Sequence, residues 1–127
     1  MNKKNKEIDA INIQLIALFL ILISSIISIL LTYNQKLDLE EKDTLYTPKQ
    51  SYKLTLFNRI FIIILSIVFL YVNYELYEVS KEEGEDLKPY ILQIFASILT
   101  IISGIIVLYV VLQSTTENVS DVENPII

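Results

Sequence analysis

Two long stretches of the chain carry no charged residue: the 26 positions between Asp9 and Lys36, and the 28 between Lys88 and Glu117. Roughly 20 apolar residues are enough to cross a bilayer as an α-helix. A core helix of a small soluble domain would instead show charge on its outer face every turn or so. Neither stretch has such a face, so the pattern predicts membrane-spanning helices rather than a soluble three-helix bundle. The first predicted span runs from about Ala10 to Tyr33 and holds fifteen Ile, Leu or Phe residues. On the insertion scale they contribute roughly −5 to −9 kcal/mol. Asn12 and Gln14 lie near its start, where polar groups cost little. The third span runs from Pro89 to about Gln113 and again holds fifteen large apolar residues, here Ile, Leu, Val or Phe.

Between them lies a weaker span, from about Leu54 to Tyr77. Its uncharged centre, Ile60 to Tyr74, has 15 residues, about 22 Å at the helical rise, against a hydrocarbon core of about 30 Å. Arg59 and Glu75 are therefore expected at the two interfaces, Arg59 reaching the surface by snorkelling. The expected fold is an all-α integral membrane protein, a bundle of three transmembrane helices joined by short polar connectors. It forms a single membrane domain over residues 1–127 with a mobile acidic tail at 114–127.

The connectors carry their own punctuation. Thr47-Pro48 interrupts any helix through residues 34–53, because proline disfavours the α region in the residue before it. In the acidic connector 78–88, Gly84 can stop one helix, Pro89 suits the first turn of the next, and Asp86 is placed to cap it. Tyrosines cluster at the ends of the spans, at Tyr33, Tyr52, Tyr71, Tyr74, Tyr77, Tyr90 and Tyr109, as interfacial anchoring requires. Lys3, Lys4 and Lys6 before the first span suggest a signal peptide. The apolar run is too long for one, and no small-x-small cleavage site follows.

Composition narrows function mostly by exclusion. The chain has no Cys, His or Trp, which removes disulfides, thiolate metal sites and Cys or His nucleophiles. Its net charge of −5 has the wrong sign for a nucleic-acid surface. Glu82, Glu83, Glu85 and Asp86 lack the spacing of a calcium loop and read as a solvated charge run. Asn118-Val119-Ser120 matches a glycosylation acceptor, a pattern common by chance. No cofactor, metal site or catalytic residue is expected, and no enzyme. The wealth of Ile, Asn and Lys fits an AT-rich genome and so a low-GC bacterium.

Small and polar residues inside the spans are ordered. At 100° per residue, Gln14, Ala17, Ser24, Ser25, Ser28 and Thr32 fall within one sector of the first span, with Ser24, Ser28 and Thr32 four apart. On the third, Gln93, Ala96, Ser97, Thr100, Ser103 and Gly104 share a face, with Ala96, Thr100 and Gly104 four apart. Such faces let helix backbones approach closely and hydroxyls bond across. A polar path for an ion or solute is the alternative, weaker because Ser and Thr in apolar helices usually bond nearby carbonyls. In the second span Arg59, Ser66, Asn73 and Tyr77 share a stripe, with Glu75 opposite.

These features point to a small protein of a bacterial cytoplasmic membrane that works by interaction, as an accessory or regulatory subunit, with the bilayer and another helix as its partners. That helix would come from a second copy or from another membrane protein. The rival readings are a holin-like permeabilising protein or small transporter, and a bacteriocin-immunity protein. Five basic side chains fall on each side of the membrane. Spans one and three favour the N-terminus in the cytoplasm and the C-terminus outside, and span two opposes it.

Overall fold

The computed structural model describes residues 3–114, which form three α-helices and no strand. They are α1 (Lys3–Leu39), α2 (Pro48–Glu82) and α3 (Lys88–Gln113). All three are long and apolar enough to cross a membrane, so the chain is a multi-pass membrane protein. The predicted tail from 115 onward, and with it Asn118-Val119-Ser120, lies outside the described residues.

Local chemistry sets each helix end. α1 stops where Lys42 N–H reaches back to the Leu37 carbonyl and Glu41 N–H to that of Asp38, the pairing of a Schellman motif. The residue in the left-handed region there is Glu41, at φ 57°. α2 opens with a full capping box: Thr47 Oγ1 accepts from Gln50 N–H, Gln50 Oε1 accepts from Thr47 N–H, and Pro48 follows. Its far end repeats the Schellman pairing, with Glu85 N–H on the Ser80 carbonyl and Gly84 N–H on that of Lys81. Here a glycine, Gly84 at φ 72°, takes the left-handed position. Asp86 Oδ1 then accepts from Lys88 N–H at the start of α3.

Short connectors make successive helices antiparallel neighbours. α2 packs against both α1 and α3, while α1 and α3 do not pack against each other. The arrangement is therefore a layer with α2 in the middle rather than a closed triangle. Burial follows: 33% of the most apolar window of α2 is buried, against 17% in α1 and in α3.

The seams have a seven-residue period. α1 buries Ala10, Ala17, Ser24 and Leu31; α2 buries Ser51, Leu65, Val72 and Val79 with Asn58 between them; α3 buries Ser97, Gly104 and Val111. A strict heptad repeat keeps a seam in register along helices that wind left-handed around each other. Small residues at half of these positions bring the backbones close.

Contacts along the seams also fix the relative heights of the helices. Lys3 Nζ donates to the Glu82 carbonyl at one end, and Asn34 Nδ2 to Ser51 Oγ at the other. Ser97 sits against Asn73 and Gly104 against Ile63, so the end of α3 falls opposite about residues 54–57 of α2. α1 and α2 continue past it for about six to nine residues, roughly 9–14 Å at the helical rise. This projecting stem is polar: Asn34 also accepts from the Tyr46 N–H through Oδ1, and Lys36, Lys49 and Lys53 are all exposed.

Candidate functional site: a groove between the outer helices

Because α1 and α3 stand apart, α2 forms the floor of a groove open along one side, with a volume of about 940 Å³. Ile62, Leu65, Ser66, Phe69 and Asn73 line the floor. One wall is α1 from Gln14 to Lys36, including Ser25, Ser28 and Thr32; the other is α3 from Gln93 to Thr100, including Ala96. The α1 wall is about 33 Å long, its Lys36 end on the polar stem, and the α3 wall is about 10 Å long at the helical rise.

The polar groups around the groove fall into two sets. The first is engaged in holding the helices together. Asn58 is fully buried; its Oδ1 accepts from Ser24 Oγ at 2.7 Å and its Nδ2 donates to Ser28 Oγ at 3.0 Å. One amide thus ties α2 to two successive turns of α1. On the other seam Asn73 Nδ2 donates to Ser97 Oγ at 2.7 Å and lies 3.4 Å from the Gln93 carbonyl. Ser66 donates to the Ile62 carbonyl and Thr100 to that of Ala96, the local back-bonding usual for hydroxyls in apolar helices. The second set is uncommitted: among the described residues the side chains of Gln14, Ser25, Thr32, Tyr33 and Lys36 on α1 and of Gln93 on α3 make no hydrogen bond.

The two faces marked in the sequence are therefore split. Ser24 and Ser28 join the α1–α2 network, while Thr32 lines the groove exposed. Gly104 is buried so tightly that a Cβ there would meet Ile63 Cγ1 at 2.9 Å. Ala96 and Thr100 are exposed and face the groove. Asn73 and Glu75 are half-buried. Arg59 departs from the snorkelling expectation: it is 1% exposed. Its height explains this, because the heptad register brings Val111, itself fully buried, level with Arg59. α3 ends two residues beyond Val111.

Asn58, Ser51, Asn34 and Thr55, all buried, were not singled out from the sequence. The signal was present as the seven-residue spacing from Ser51 to Asn58 and from Ala10 to Ser24 to Leu31. In the acidic connector, a hydrogen bond with Glu83 raises the Glu85 carboxyl above its ordinary range, helped by partial desolvation and by the charges of Glu83 and Glu7. Among the described residues no three carboxylates gather closely enough to share a cation.

Residues 59–114 match the model of a family described as protein of unknown function (DUF2768). The matched stretch is somewhat under half of the chain and takes in most of α2, all of α3 and the Asn73–Ser97 and Gly104–Ile63 contacts. The likeness thus covers one of the two seams and one wall of the groove. No curated protein and no solved structure gives a significant match.

Proposed function

We propose that this protein is an accessory or regulatory subunit of a bacterial cytoplasmic membrane, that it catalyses no reaction, and that it works by holding a transmembrane helix in the groove between α1 and α3. The supporting observation is the uncommitted amide of Gln14, together with the hydroxyls of Ser25 and Thr32, on the α1 wall of that groove. The helix register places Gln14 one to two turns inward from the level of Glu75. An amide without a partner in hydrocarbon costs several kcal/mol by transfer measurements. Acyl chains could fill the volume but offer no donor or acceptor. A helix bearing polar side chains fills it and bonds.

A groove open along its side is not a closed path for solute, which disfavours the permeabilising and transport readings. The test is a photoreactive side chain at Thr100, on the α3 wall, activated in native membranes. The expected product is a covalent adduct with a protein helix. Adducts with lipid alone would overturn the reading. Release of an entrapped dye from liposomes by the purified protein would favour permeabilisation instead.

A further inference from the structure

Resting on that reading, we infer that the occupant of the groove is α1 of a second copy of this chain, in a two-fold dimer in which each copy's first helix seats between the partner's α1 and α3.

Three observations lead there. The first is chemical. Short of Lys36, the uncommitted groups on the α1 wall are an amide and three hydroxyls, Gln14, Ser25, Thr32 and Tyr33, and each of these is both donor and acceptor. A face made only of such groups is complementary to itself. The second is geometric. Copies inserted in the same orientation are related by a two-fold axis along the membrane normal, which brings equal residues to equal depth. Gln14 then meets Gln14, Ser25 meets Ser25 and Thr32 meets Thr32 without any shift in height. The third is electrostatic. Lys36 is the charged residue on the groove lining, and it lies on the polar stem beyond the end of α3, where water separates it from its symmetry mate. Nothing in the apolar depth of the groove opposes a second copy.

Most of α1 is available for this. Beyond its seam with α2, large side chains such as Ile16, Phe19 and Ile29 are more than half exposed. The groove and the outer face can be told apart. Ser25 and Thr32 line the groove, whereas Phe19, 70% exposed, is not on its lining.

The chain contains no cysteine, so single substitutions report cleanly. Ser25→Cys, Thr32→Cys and Phe19→Cys proteins would be oxidised mildly, both in native membranes and after purification into liposomes at low protein density. The expected result is a disulfide-linked species of twice the chain mass for Ser25→Cys and Thr32→Cys, and at least several-fold less of it for Phe19→Cys. Adding Gln14→Leu to Ser25→Cys should reduce the linked species several-fold while leaving helix content unchanged. Equal linkage at Phe19→Cys, or no self-linkage at either groove position, overturns the dimer. If Ser25→Cys instead links to a different chain in native membranes and not to itself in liposomes, the dimer fails while the helix-holding reading stands. If the groove cysteines link to no protein in either setting, both fail.

Discussion

Asn58 and Asn73 do the same chemistry on opposite seams but not to the same degree. Asn58 is fully buried and its amide is used at both ends, by Ser24 and Ser28. Asn73 is half-buried and makes one short hydrogen bond, to Ser97. Interhelical hydrogen bonds in membranes average about 0.6 kcal/mol and reach about 1–2 kcal/mol. Asn58→Leu should therefore lower stability by about 1–2 kcal/mol and Asn73→Leu by roughly half as much, read from unfolding in mild detergent. The opposite order would mean that the α2–α3 seam carries the bundle. Arg59 belongs to the same scale. From its own helix it reads as an edge residue, since an uncharged centre of 15 residues follows it. Its burial depends on how far α1 and α3 extend beside it, which no single-helix count contains.

The three helices themselves were legible because charge-free runs and connector punctuation are local signals. Thr47, Pro48 and Gly84 act at helix ends as their chemistry suggests, and Asp86 takes the Lys88 N–H from one residue before the N-cap, Leu87. The helices run beyond the predicted spans, α1 over 37 residues and α2 over 35. Hydropathy marks where lipid ends and not where a helix ends. Spacing by fours marked Ser24 and Ser28, but the seams follow sevens, which explains why Ala96 and Thr100 fall on the groove wall while Ser97 and Gly104 pack. Gly104→Leu should then cost about 1–3 kcal/mol by overpacking against Ile63, and should loosen α3 without disturbing α1. Unchanged stability in detergent would place that face against lipid. The two Schellman ends give a paired expectation. Gly84→Ala has open space around its Cβ and should lose about 1 kcal/mol through backbone strain alone. Glu41→Gly, relieving that strain at the other end, should gain roughly 0.5–1 kcal/mol, less whatever the freer glycine loses on folding. Matching thermal shifts of the same sign for both would contradict the shared motif.

At the scale of the whole molecule, the arrangement of α2 between two helices that do not meet lay beyond the sequence. Composition names apolar and polar faces but not which neighbour covers each. The groove, and with it the candidate site, follows from that topology. Orientation is set by other forces. The basic residues flanking the first and third spans favour the N-terminus in the cytoplasm and those flanking the second oppose it; a reporter fused after Ile127 is expected to be active outside and silent inside. A cytoplasmically active fusion would reverse the assignment. The topology itself can be measured directly by pulsed electron paramagnetic resonance between spin labels at Gln14→Cys and Thr100→Cys, which the helix register sets at about the same height, in one chain diluted with unlabelled protein in bilayers. Helices in direct contact lie about 8–10 Å apart. The expected result is an intramolecular separation of α1 and α3 well beyond that, close to two such spacings across α2. A distance distribution centred on direct contact would show a closed three-helix bundle and leave no groove.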